Sequence, residues 1–402
     1  MKNIILIAIM ILIMMLSCKH QINPALKNYI AHIEKQNSNS KDYIIKQWKT
    51  NDIVILCERN HGEMTQYDLI FDIIQSDYFI DSVGCLFTEV GSVSVQKELN
   101  NFLLKEYSDS TEQYQSLVKI YRNITWPYWE KSNFFFLLIK INQLNSTLPN
   151  DKKIKVYTSD LINPDFQEIK TKEDFLTFRE KQLFKDRDSI MAENIIHVYD
   201  SLHQLGKSKC LIIMNYRHAF LKNILGADES LITNTGAILS NNYKNKVASI
   251  YINSLALTTN PTDTIKDASF RDYSNFPIQD GKWDAAFKIA KKEDLGFDFN
   301  ANPFGADSLD IWPFSQQYTY QDVFTGMVYY LPISKHIEAY GLENFVDSTF
   351  VDELYRRLSV FYEVYGGNKV NKADLIKAFE YEEMKYEELN KLETEINKWI
   401  NN

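Results

Sequence analysis

The chain has 402 residues, a formal net charge of −9, 24 Tyr and 24 Phe. That length suits one large α/β domain with additions, or two domains, and the aromatic content excludes disorder over most of it. The acidic balance, with Lys and Arg scattered rather than gathered in a stripe, excludes a general nucleic-acid or anionic-membrane binder.

The first predicted element is a targeting segment. Lys2 supplies a positive start, Ile4 to Leu16 is apolar but short for a membrane span, and the run stops at Ser17-Cys18. A small residue before a Cys here resembles a bacterial lipobox, although Met15 and Leu16 are not its usual residues. Residues 1–17 are therefore expected to be a lipoprotein signal peptide and Cys18 to be lipidated; an uncleaved signal anchor is the other reading. Residues 18–40 are mostly polar and end Asn/Ser-rich, and read as a tether. The protein would then be anchored to a bacterial membrane through Cys18, facing the periplasm or the cell surface.

Next come short apolar runs separated by helix-length segments, the pattern of parallel strands with crossover helices. The predicted strands are Asp52–Cys57, Gly84–Thr88, Lys153–Tyr157 and Lys209–Met214. Helical spacing follows the first strand over Met64–Gln75 and the second over Ser92–Lys105. Thr111–Leu144 reads as two helices broken at Trp126-Pro127, and Lys172–Leu205 as one long charged helical region capped at Gly206. Thr233–Ser240 reads as a short helix, Lys246–Ile252 as a fifth strand and Asp322–Leu331 as a sixth. Residues 256–321 read as a long decorated loop over the pocket. Two helices, near 347–363 and 371–400, close the chain. The fold class is a three-layer α/β domain, its mostly parallel sheet flanked by helices, with a helical C-terminal segment. The division is a domain over 41–335 and the C-terminal segment over 336–402. Cys57, Cys85 and Cys210 lie in strands and read as small buried hydrophobes.

Each of the four early strands runs into a polar residue. Open parallel sheets bind ligands outside the carboxyl ends of their strands, so these residues are expected on one rim. Glu58-x-x-His61 follows the first strand, where a carboxylate can orient an imidazole and raise its basicity. Glu89 ends the second strand and is costly there unless paired; its other role is to cap the next helix. Asp160 ends the third, with a turn role as its alternative. Asn215, Arg217 and His218 follow the fourth, and a lone His there is more often a satisfied core group. Arg187 could clamp an oxyanion or carboxylate if its helix packs over the rim.

The order of these motifs resembles the erythromycin esterase-like family, within a wider group that includes haem-binding lipoproteins and metal-dependent peptidases. The residues that carry the resemblance are Glu58-Arg-Asn-His61-Gly62, Glu89, Trp126 to Asn142, Lys155 to Asp160, Arg187-Asp188-Ser-Ile-Met191-Ala192-Glu193-Asn194, Asn215-Tyr-Arg-His218 and Asn234-Thr-Gly236-Ala-Ile-Leu239. Two positions depart from the pattern: Cys57 replaces a Gly, which is expected to tighten the turn, and Asn215 replaces a His.

A membrane-anchored hydrolase of an ester or amide bond in a small-molecule substrate is the leading expectation. His61 would be the base, Glu58 its orienting partner, Glu89 and His218 the polar floor, and Arg187 the oxyanion stabiliser; Asp160, Asn215 and Arg217 would bind substrate. The resemblance implies a metal-free mechanism and no cofactor. Two rivals stand beside it: a divalent-metal hydrolase using His61, His218, Glu58 and Glu89, and a lipoprotein that binds haem, iron or another small ligand without turnover.

Overall fold

The computed structural model describes residues 22–182, 185–226, 230–259, 273–311, 317–366 and 371–401. Residues 1–17, expected to be a signal peptide, and Cys18 fall outside them. No helix among the described residues is long and apolar enough to cross a membrane.

A seven-stranded sheet forms the middle layer. Its strands are Ile53–Glu58 (β1), Cys85–Ser92 (β2), Lys155–Asp160 (β3), Cys210–Asn215 (β4), Val247–Ile252 (β5), Asp294–Asp298 (β6) and Gly326–Tyr330 (β7). They lie in the order β6-β7-β5-β1-β4-β2-β3. All neighbours are parallel except β6 and β7. The central strands read as unbroken apolar runs because helices cover both faces. The principal helices are Lys27–Glu34 (α1), Ser40–Gln47 (α2), Thr65–Ile74 (α3), Gln96–Leu104 (α4), Ser110–Tyr121 (α5), Ser132–Thr147 (α6), Lys172–Gln182 (α7), Arg187–Gln204 (α8), Thr235–Asn242 (α9), Lys282–Ala290 (α10) and Val351–Tyr365 (α11).

Strand alternation divides the core in two. Ile53, Ile55, Cys57, Phe87, Ile212 and Met214 point to the face covered by α1, α8, α9 and α10. Val54, Leu56, Leu86, Leu211 and Ile213 point to the face covered by α2 to α6 and by α11. Each fully buried Ile, Leu, Val or Phe contributes roughly 1.5–3 kcal/mol, so both faces favour this layering. The chain leaves β1 outward to β2 and β3, returns to fill the gap with β4, then crosses to β5 on the other side. A reversal of this kind opens a crevice at the carboxyl ends of the strands.

Several expectations need correction. The tether reading of 18–40 fails from residue 24 onward: Pro24–Leu26 is a helical turn leading into α1, and Leu26 and Ile33 are fully buried. Amphipathic spacing outweighed local polarity there. The region 172–205 is two helices, α7 and α8, not one. The described residues of 256–321 are not one loop, since they supply α10 and the edge strand β6. The sixth strand is shorter than expected, because Tyr320–Val323 is a helical turn with a capping box from Thr319 and Asp322. The stretch 371–400 holds two helices, Lys372–Ala378 and Leu389–Asn401, with the short strand Glu382–Met384 between them.

The three cysteines are free and buried. Cys57 and Cys85 are not on neighbouring strands, because β4 lies between β1 and β2. Cys57 does not tighten the turn either; it is an ordinary member of β1, paired with Met214 and Tyr251.

Candidate active site

The site is assembled where β1, β2, β3 and β4 end. Glu58 is the last residue of β1, directly beside Asn215 of β4. The turn that follows carries His61, and its shape is set by neighbours. Asn133 on α6 donates to the carbonyls of His61 and Glu63. The amide of Ala339 donates to the Gly62 carbonyl. A Cβ on Gly62 would sit 2.7 Å from the Tyr340 ring, so only glycine fits this approach. Residues 337–340, placed in the C-terminal segment by sequence, thus brace the turn of the main domain.

Beneath the turn lies Arg59, with no exposed surface. All five of its N–H groups are used: on Glu63 and Thr65, on the Asn253 carbonyl and side chain, and on the Tyr330 carbonyl. Glu63 in turn accepts from the amides of Thr65 and Gln66 at the start of α3. This network ties the end of β1 to β5, β7 and α3.

Two imidazoles converge on one carboxylate. His61 Nδ1 lies 2.6 Å from Glu58 Oε1, and Tyr67 Oη donates to Glu58 Oε2 at 2.9 Å. His218 Nδ1 lies 2.7 Å from Asp188 Oδ1. The Nε2 atoms of His61 and His218 lie 3.9 and 3.4 Å from the same oxygen, Glu89 Oε1. The His61 side chain is 25% exposed while that of Glu58 is 1% exposed, so solvent reaches the imidazole and not its partner. Trp129 packs its ring edge-on to His61 at 5.0 Å.

Glu89 does not end its strand, as the sequence suggested. Pairing of β2 with β4 stops at Thr88, and β2 continues to Ser92 after a register shift against β3. Glu89 sits in that irregularity, which frees its side chain for the crevice. Its Oε2 accepts from the Asn215 amide at 2.8 Å. Arg187, the first residue of α8, reaches over it. Arg187 Nη1 lies 3.2 Å from Glu89 Oε1, and its Nε and Nη2 hold both oxygens of Asp160 at 2.8 and 2.9 Å.

Burial alone would push the Glu89 carboxyl up, but His218, Arg187, His61 and the Asn215 amide together hold it down at about 2. Burial would likewise raise Asp188, yet His218 and Arg217 hold it well below the usual carboxylate range. For His61, burial disfavours the imidazolium, but Glu58 as charge and hydrogen-bond partner, with Glu89, outweighs both burial and Arg187, and the net shift is upward. A carboxylate held as low as Glu89 stays ionised near neutrality, so the group placed to exchange protons is His61.

Glu58, His61, Glu89, His218, Arg187 and Asp160 therefore share one cluster. Two predicted substrate contacts bond within the protein, Asn215 through its side-chain amide and the partly exposed Arg217 through Nη1 alone. The Asn215 side chain donates to the carbonyls of Arg59 and Glu58, and Arg217 bonds Asp188 and the Thr233 carbonyl. Sequence reasoning missed Asp188 as a site residue, though it stands inside the Arg187-Asp188 motif. It also missed Tyr67, whose place on an apolar helix face looked like core. Tyr216, between Asn215 and Arg217, has φ of +39°; strain of this kind in a bulky residue concentrates at functional sites.

No family model matches the chain, and no curated protein matches it. Among solved structures, an erythromycin esterase mutant in its open conformation is 11% identical, with a TM-score of 0.47, over 77% of this chain and 96% of that one. An erythromycin esterase is thus among the structures similar to this chain. A succinoglycan biosynthesis protein is 11% identical, with a TM-score of 0.47, over 76% of this chain and 97% of that one. A protein from Bacillus cereus is 13% identical, with a TM-score of 0.45, over 75% and 96% respectively.

Proposed function

We propose that the protein hydrolyses an ester or amide bond in a small-molecule substrate, with His61 as general base. The observation that carries this reading is the pair of carboxylate-held imidazoles whose Nε2 atoms meet at Glu89. Nδ1–H of His61 donates to Glu58, which leaves Nε2 to take a proton from water. The water oxygen bonds to the substrate carbonyl carbon, and charge develops on the carbonyl oxygen. Of the five N–H donors of Arg187, three go to Asp160 and Glu89 and a fourth lies against His218 Nε2, so one remains for that oxyanion. The carbon–heteroatom bond then breaks, and the proton on His61 passes to the leaving group. Glu58 stabilises the imidazolium in between, and Glu89 remains an anion throughout.

Ligand capture without turnover fits less well. A haem ligand needs an open imidazole or phenol over a broad apolar slot. The Nε2 atoms that would ligate iron here face the Glu89 carboxylate, itself paired with Arg187, rather than an apolar slot. A metal-dependent version has one observation in its favour: Glu58, His61 and Glu89 offer ligand atoms within 4.8 Å of one another. Those three would hold a divalent ion, which would polarise the carbonyl or its water. Against it, the Arg187 guanidinium already lies on Glu89.

Hydrolysis of an ester panel by purified protein, with and without chelator, tests the reading. Activity should survive chelation. A base must be neutral to act, and His61 is shifted up from 6.5. The acid limb of kcat/KM is therefore expected above about pH 6.5. Glu58→Gln removes the largest raising influence, so it should move the limb down as well as slow the reaction. A limb that ignores Glu58→Gln would sink the role given to His61. Loss on chelation, restored by a divalent ion, would move the assignment to the metal-dependent version. Tight haem or iron binding with no turnover would favour capture.

The membrane anchor remains part of the proposal, supported by the short apolar run ending at Ser17-Cys18. Cys18→Ala should release the protein from the membrane fraction or leave it unprocessed. Unchanged fractionation and unchanged apparent mass would favour an ordinary signal anchor.

A further inference from the structure

A cleft of about 210 Å³ borders the charged cluster and shares Asp160 and Arg187 with it. We propose that this cleft takes an apolar group of about one ring from the substrate, and so sets its specificity; this rests on the hydrolase reading above. Three observations lead there. The first is continuity. Arg187, which touches Glu89 and lies 3.4 Å from His218 Nε2, is also a wall of the cleft. A group lodged in the cleft therefore leaves its attached carbonyl at the cluster.

The second observation is chemistry. Away from Asp160 and Arg187 the lining includes the apolar Trp126, Leu161, Ile162, Phe175 and Phe178, beside polar groups among which Arg179 is charged. The wall is built rigidly, with Trp126 stacked between Phe166 and Phe175 at 5.7 and 5.3 Å. Arg187 holds both Asp160 oxygens, and Arg179 lies over the Phe175 ring and donates to the Tyr365 hydroxyl. The aromatic walls between these polar groups favour a flat apolar group.

The third is size. The volume exceeds the roughly 150 Å³ in which an apolar cavity takes benzene. It falls short of the roughly 300–1,000 Å³ that drug-sized ligands occupy. A single aryl or branched-alkyl group fits that interval.

The test compares phenyl acetate with methyl acetate on the full chain. Phe178 lines the cleft, is only partly buried, and makes none of the hydrogen bonds of the charged cluster, so its variants should fold. Phe178→Ala and the cleft-filling Phe178→Trp should each raise KM for phenyl acetate by about tenfold, the size of one lost apolar contact. Both should leave kcat, and both constants for methyl acetate, within about twofold. Calorimetric binding of phenyl acetate to His61→Ala, with and without the Phe178 changes, separates this inference from the hydrolase reading. Phe178-dependent binding with no turnover by the wild type would keep the subsite and end the hydrolase. Turnover of both esters with no effect of Phe178 would keep the hydrolase and end the subsite. Equal losses on both esters, or neither binding nor turnover, would also end the subsite.

Discussion

His61→Ala is expected to lower ester hydrolysis by about a hundred- to ten-thousand-fold, the usual contribution of a positioned base. The loss should appear in kcat and kcat/KM together, because the proton moves only in the transition state. The fold should survive. The His61 side chain is partly exposed and touches Glu58, Glu89 and Trp129, while the turn backbone is held by Asn133 and Ala339, whatever the side chain. Glu58 keeps the Tyr67 hydroxyl as a donor. A stability loss near 1 kcal/mol, the common size for a point change, is therefore expected from a urea titration. Wild-type turnover by a folded His61→Ala protein would end the mechanism proposed above.

Arg59→Met is expected to cost about 3–5 kcal/mol, because it strands a charge in the interior. Neither Arg59 nor Glu63 has exposed side-chain surface. Burial would raise the Glu63 carboxyl, but Arg59, with His336 and the Thr65 hydroxyl, holds that carboxyl at about 2. Without the guanidinium, Glu63 must stay charged and unpaired or take up a proton. The Asn253 and Tyr330 carbonyls and the Asn253 side chain would lose their donor as well. Arg59→Met combined with Glu63→Gln should recover part of the loss, since no buried charge then remains and Gln can still accept from the start of α3. The urea midpoints of wild type, single and double variants decide the matter. A single variant as stable as wild type would mean that the pair contributes nothing. A double variant worse than the single would mean that capping by Glu63, rather than its charge, dominates.

Most of the sheet was readable because it is regular. β1, β2, β4 and β5 are largely apolar runs buried on both faces, and the polar residues that end β1, β3 and β4 mark the rim. Helix-length segments between them imply crossovers, and crossovers imply parallel pairing. Glu58 with His61 was readable for the same reason, since three residues of turn return the imidazole to its carboxylate. What failed was local reasoning where distant contacts decide. α1 looked like a tether because half of its residues are polar; its buried face is supplied by residues such as Phe297 and Phe304, more than 250 positions away. β6 looked like part of a loop because Asp294-Leu-Gly-Phe-Asp298 is short and acidic at both ends. It becomes a strand by pairing with β7, and Gly296 is needed because a Cβ there would sit 2.4 Å from Tyr43.

The sequence by itself determined the layer architecture and which polar residues reach the rim, since both follow from hydrophobic period and strand length. Only the tertiary structure decided what those residues do to one another. Glu89 could have been a helix cap, but the register shift in β2 sets it under Arg187 and between two imidazoles. Asn215 could have faced substrate, but its side chain donates to the Arg59 carbonyl, and Arg217 is held at Nη1 by Asp188. The reason is physical: a side chain's charge state and free valences depend on groups within a few ångströms, and here the key partners lie about 30 to 160 residues away in the chain. Periodicity reports which face a residue occupies; it carries no information about which partner waits there.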